Sequence, residues 1–124
     1  MTDAGKSRDL RVRTKEFGGL VVGLFVSLDK RREELRVLGK QMLRSGTSVG
    51  ANYREASRAR SESEFIAKIE LCAQEADETQ YWLELLRDHC KLRSELLNQT
   101  WDEADELIRI FVSMSKKTKA KKPR

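Results

Sequence analysis

From Phe65 to Cys90 the residues Phe65, Ile69, Cys72, Ala76, Thr79, Leu83, Leu86 and Cys90 follow one another at alternating spacings of four and three. That rhythm keeps one face of an α-helix turned inward through nearly four heptads, and a β-strand, whose side chains alternate with period two, cannot honour it. Ser61, with Glu64 three residues later, supplies the hydroxyl and carboxylate that close a helix N-terminus. A helix of this length needs partners to cover its seam, and the chain supplies them. Leu97, Trp101, Ala104, Ile108, Phe111 and Ser115 repeat the rhythm after it, and Phe17, Val21, Leu24 and Leu28 repeat it near the start.

The stretch between the first and third helical segments is harder to place, because "SGTSVGANYREASRA" (45–59) is rich in small polar residues and glycine. Its phase decides the matter. At about 100° per residue from Arg36, the positions Leu38, Met42, Ser45, Val49, Asn52 and Ala56 fall within an arc of about 160–240°. Arg36, Lys40, Arg44, Arg54 and Arg58 fall within about 0–80°, nearly opposite. The two arcs keep their phase through Gly46 and Gly50, so the segment reads as one unbroken helix over 33–58. Each glycine inside a helix costs about 1 kcal/mol relative to alanine. The return is close approach of a neighbour, and Gly18, Gly19 and Gly23 of the first helix offer the same, which predicts a tight contact between helices one and two.

Four helices, at about 10–29, 33–58, 62–90 and 95–115, joined by short connections, predict an all-α antiparallel up-down-up-down four-helix bundle over residues 1–115. The residues 116–124, "KKTKAKKPR", read as a basic, disordered tail. The 124 residues suffice for one domain. The most apolar run, "FGGLVVGLFVSL" (17–28), is short of the roughly twenty residues of a membrane span. With no secretory signal at the start, the expectation is a soluble, cytoplasmic protein without membrane contact. Cys72 and Cys90 lie about 27 Å apart along one helix, out of disulfide reach, and read as buried small hydrophobes.

Catalytic readings find little support. "GTSVG" (46–50) matches the letters of a nucleophile elbow, but that device needs a strand before it, and the single histidine, His89, lies far along the chain. Glu75, Glu78 and His89 do not form an E-x-x-H pair, and two distant cysteines make no zinc site. The expectation is a non-enzyme with no catalytic residues, no cofactor and no metal. Asn52, at the edge of the core arc, and Thr79, on the third seam, read as a structural polar pair that fixes helix register.

Charge is segregated. Residues 1–29 carry a net +1, 30–60 a net +6, 61–115 a net −8 and 116–124 a net +6, within a total of +5. The five cations Arg36, Lys40, Arg44, Arg54 and Arg58 span about 33 Å of helix. They read either as a solvated face or as a nucleic-acid-binding surface that tracks phosphates, and no aromatic residue accompanies them to stack on bases. A second apolar edge on helix three, Leu71, Trp82 and Leu85, reads as core widening or as an oligomer interface. The acidic helices three and four complement the basic helix two, within one chain or between copies.

Residues 43–86 closely resemble the four-helix-bundle family of 23S rRNA intervening-sequence proteins. Its pattern appears as Ser48, Val49, Asn52 and Glu55, then Ser61, Glu64, Phe65 and Ile66, then Glu78, Thr79, Tyr81, Trp82 and Leu83. The likeness extends from about Arg8 to Lys119. Such bacterial proteins look like relatives of the accessory variability protein of diversity-generating retroelements, a pentameric bundle that binds nucleic acid and a reverse transcriptase. The resemblance implies a homo-oligomer, a pentamer, with RNA or DNA and a reverse-transcriptase-like protein as partners, and it brings no catalytic residues. A protein–protein scaffold with no nucleic-acid affinity is the alternative.

Overall fold

The computed structural model describes residues 3–121, with side chains from Leu10 onward. Four helices, α1 (Asp3–Ser27), α2 (Glu33–Ala56), α3 (Glu62–Asp88) and α4 (Glu95–Lys121), pack in sequential order as an up-down bundle. Helix α4 returns beside α1 to close the ring, and that contact is the sparsest of the four. Ser61 Oγ accepts from the Glu64 amide at 3.1 Å to start α3, and Ser94 Oγ accepts from the Leu97 amide at 3.1 Å to start α4. Each hydroxyl satisfies an amide that has no intrahelical acceptor.

The inward faces follow the expected rhythm with small rotations. Phe17, Val21, Leu24 and Leu28 are buried, as are Ile69, Cys72, Ala76, Thr79, Leu83, Leu86 and Cys90. Phe65 is half-buried while Ile66 takes the buried position. On α4, Trp101 and Ile108 flank the core, and Thr100 and Leu107 sit within it. On α2 the buried face is Leu35, Gly39, Met42, Ser45, Gly46, Val49, Tyr53 and Ala56. Leu38 and Asn52 lie at its margin instead of at its centre, because the large Tyr53 ring turns inward against Phe111, with centroids 6.2 Å apart.

Helix α2 runs without a break through Gly46 and Gly50. The tight contact with α1 forms, but α2 supplies its glycines. A Cβ on Gly46 would stand 2.6 and 2.8 Å from the two Val21 methyls, and one on Gly50 would stand 3.3 Å from the Thr14 carbonyl. Gly18 and Gly19 face open space, and Gly23 lies toward Leu96 of α4, so the expectation that they would serve this contact is corrected. The sequence marks small residues; it does not mark which way they point.

Five boundaries move, among them the ends of α1, at Ser27 instead of 29, and of α3, at Asp88 instead of 90. α1 starts at Asp3, before the apolar rhythm begins, because residues 3–9 offer no periodic set to announce a start. α2 ends at Ala56, where the chain tightens through Arg58 N–H to Glu55 and Ala59 N–H to Ala56 bonds, so Arg58 stands in the turn and not on the rod. α4 continues to Lys121, which corrects the disordered tail as far as that residue; 122–124 lie outside the described residues. No glycine or proline interrupts 116–121, and Lys119 pairs with Glu70 of α3 at 2.6 Å.

Candidate functional site

The cations of α2 meet different fates along its length. Arg36 pairs with Glu33 one turn back. Arg44 pairs with Glu78 of α3 and stands 3.6 Å from Glu75. The acidic stretch of α3 thus neutralises the middle of the row. Lys40, Arg54 and Arg58 are exposed and engage no carboxylate among the described residues. Arg60, in the same turn as Arg58, likewise has no ion pair, and sequence reasoning passed it over although it directly precedes the Ser61 cap. Arg54, Arg58 and Arg60, with Glu55 and Glu64, line a shallow cleft of about 310 Å³ where α2 turns into α3.

The antiparallel topology brings a second basic group to this end. The last turns of α4 carry Lys116, Lys117, Lys119 and Lys121, all exposed. Lys119 is held by Glu70, which also accepts from Ser115 Oγ at 3.0 Å. The Lys119 ammonium, with the Ser115 hydroxyl second, holds the Glu70 carboxyl below the ordinary carboxylate range. Across the end, Lys68 donates to Glu55 at 2.6 Å, and that carboxylate keeps the ammonium protonated above its usual range. Lys116, Lys117 and Lys121 have no carboxylate partner among the described residues.

The polar pair expected at Asn52 and Thr79 forms otherwise. Thr79 Oγ1 donates to the Glu75 carbonyl at 2.8 Å and meets Ser45 Oγ of α2 at 2.9 Å. Asn52 Nδ2 instead donates to the Ser48 carbonyl on its own helix at 2.9 Å. A threonine hydroxyl has a short reach, and Ser45 occupies the position opposite it, one notch nearer the core than Asn52. On the α3 flank Leu71, Trp82 and Leu85 are half-buried, and Trp82 Nε1 donates to Glu78 at 2.9 Å. Among the described residues, the exposed large apolar side chains are Val12, Val22 and Val26 of α1, Val37 of α2, Tyr81 beside Trp82 and Val112 of α4. Next to the α1 row, Gly19, Leu20, Gly23 and Leu96 line a groove of about 650 Å³ between α1 and α4.

The catalytic candidates are placed apart. Ser48 Oγ donates to the Arg44 carbonyl at 2.7 Å, and His89 caps α3 at the opposite end of the bundle from the α2–α3 turn. Among the described residues no three of His, Cys, Asp and Glu cluster to hold a metal ion. Cys72 and Cys90 are buried free thiols, and desolvation pushes the Cys72 thiol up to about 12, so little of it ionises near neutrality. No described helix is long and apolar enough to cross a membrane.

Residues 10–113 match the family described as 23S rRNA-intervening sequence protein. Among solved structures, a protein of unknown function from the S23 ribosomal protein family of Bacteroides thetaiotaomicron is similar at 36% identity and a TM-score of 0.78. The similarity covers 86% of this chain and 98% of that one. No curated protein matches the chain.

Proposed function

The chain belongs to the 23S rRNA-intervening sequence protein family, and from that premise we propose that it is a non-enzymatic accessory protein that binds nucleic acid, RNA or DNA, as a homo-oligomer. One observation carries this reading: six cations, Arg54, Arg58, Arg60, Lys116, Lys117 and Lys121, gather at one end of the bundle with no ion-pair partner among the described residues. Unpaired surface cations release the counterions of a polyphosphate when they meet it, and that release supplies most sequence-independent affinity. Arg36 and Arg44, which the sequence pattern placed in the same row, are spent on Glu33, Glu75 and Glu78 and contribute less. The exposed Val12, Val22 and Val26 of α1 support self-association, with a pentamer as the assembly implied by the family likeness. The test is titration of labelled RNA and DNA at several salt concentrations, together with the solution mass. Binding that weakens steeply with salt supports the reading; no binding at low salt overturns it.

A second reading, a protein–protein scaffold, draws on the same valine row beside the α1–α4 groove. In that case a protein such as a reverse transcriptase docks there and polyanion affinity is lacking. Substituting Val22 and Val26 with serine then abolishes partner capture.

A further inference from the structure

Resting on the nucleic-acid reading above, we propose that the ligand is double-stranded RNA and that it docks end-on, across the end of the bundle where α2 turns into α3, and not along the α2 row. Two cationic groups stand at that end, Arg54, Arg58 and Arg60 on one corner and Lys116, Lys117 and Lys121 on another. Helices α2 and α4 occupy diagonal corners of the bundle and meet in the core, where Tyr53 packs against Phe111. With neighbouring axes about 8–10 Å apart, diagonal axes stand about 13 Å apart. Cations on corners at least that far apart suit the two phosphate strands that flank a groove of a double helix, a separation on the order of 12 Å for the major groove of DNA. Each corner therefore takes one strand of a double helix.

Three further features select double-stranded RNA. Among the described residues no aromatic side chain is exposed at this end: Tyr53 and Phe111 are buried, Phe65 is half-buried, and the exposed Tyr81 lies far along α3. A single strand would find no base-stacking platform there. The surface is also blunt. Lys119 still touches Glu70 of α3, so the described part of α4 ends level with its neighbours and offers no projecting helix to enter a DNA major groove. The A-form minor groove is wide and shallow and presents its sugars and phosphate rows to a blunt surface. Finally, the opposite end of the bundle is basic in sequence but engages its cations internally, Arg93 excepted, so it competes weakly. Lys30 donates to the Phe25 carbonyl at 2.8 Å, Arg31 pairs with Asp29 at 2.9 Å, and Arg32 donates to the Cys90 carbonyl at 3.1 Å.

The experiment measures affinity for an RNA duplex, a DNA duplex of the same sequence and one RNA strand, at several salt concentrations. It uses the full chain, a turn variant (Arg54→Gln, Arg58→Gln, Arg60→Gln), an α4 variant (Lys116→Gln, Lys117→Gln, Lys121→Gln) and a control (Arg36→Gln, Lys40→Gln). All replaced side chains are at the surface, and unchanged circular dichroism confirms folding. The expected result is an RNA duplex bound more tightly than the other two ligands. Each end variant loses about tenfold or more and shows a shallower salt slope, by about 0.9 per phosphate contact removed. The control loses less than about threefold. If the full chain binds none of the three ligands, the nucleic-acid reading itself falls. If it binds but the control loses as much as the end variants, or DNA or single-stranded RNA binds equally well, end-on docking to double-stranded RNA is overturned and the broader reading stands.

Discussion

The two ends of the bundle contain similar chemistry and use it differently. At the end where α1 turns into α2 and α3 into α4, cations sit on connections that bend sharply and leave carbonyls uncovered. Lys30 caps the C-terminus of α1, Arg32 reaches the Cys90 carbonyl, Lys91 donates to the Asp88 carbonyl and Arg87 pairs with Asp88; Arg93 alone among them makes no such bond. At the other end, Ser57 and Ser61 and tightened backbone bonds satisfy the α2–α3 turn without calling on arginine. Its guanidinium groups are left over. Exposed ion pairs contribute only about 0–1 kcal/mol to stability, so the contrast concerns availability to a ligand far more than folding. A charged residue is most available to a ligand where the fold has no other use for it.

That contrast requires α2 to be one rigid rod joining the ends, and the largest expected effect tests it. Gly46→Ala drives a Cβ into the stiff, buried Val21 side chain and is expected to cost about 1–3 kcal/mol, as overpacking does. Gly18→Ala, with nothing within 4 Å, is expected to gain about 0.5–1 kcal/mol from helix propensity. Urea unfolding of both variants checks the pair, and equal effects would break the assignment of the close contact to α2. Next comes Thr79→Val, which leaves Ser45 Oγ with only the Met42 carbonyl at 3.3 Å and is expected to cost about 1 kcal/mol. Adding Ser45→Ala should recover much of that loss, which thermal denaturation of the double variant reads directly.

A smaller effect sharpens the comparison from the ligand side. Glu75→Gln with Glu78→Gln frees Arg44 while leaving Trp82 an amide oxygen to donate to. Affinity for an RNA duplex is then expected to change less than about threefold, since Arg44 stands ten residues along α2 from Arg54, about 15 Å from the docking end. The smallest effect is local. The folded-state pKa of Glu70 is lowered by Lys119 and Ser115, so its contribution is fully present above the ordinary carboxylate range and is lost as pH falls through the lowered value. Amide exchange across 116–121 is expected to quicken on acidification before the rest of the bundle loosens, and Glu70→Gln should show that quickening already at neutral pH.

Much of this was legible in the residues. The 4-3 rhythm of Ile69 to Cys90 and the phase carried through Gly46 and Gly50 depend only on helical geometry, and both hold in the structure. What lay beyond reach depends on register between helices. Nothing in the order of residues sets Arg44 opposite Glu78, or Ser45 rather than Asn52 opposite Thr79. The glycines of α1 carried the same composition signal as those of α2 and point elsewhere. The lysine-rich end of α4 looked like a loose tail because charge density argues for solvation, while a single anchoring carboxylate on another helix, Glu70, was invisible from the sequence. The candidate site shifted for the same reason: Arg36 and Arg44 share a helical face with Arg54, but their acidic neighbours do not extend that far.

The most direct test of the central contrast is a nuclear magnetic resonance titration of the isotopically labelled protein with a short RNA duplex at moderate salt. Amide shifts are predicted to concentrate in residues 54–61 and 116–121, with 28–36 and 87–95 at the far end unmoved. Shifts centred on 36–44, or spread equally over both ends, would contradict the account.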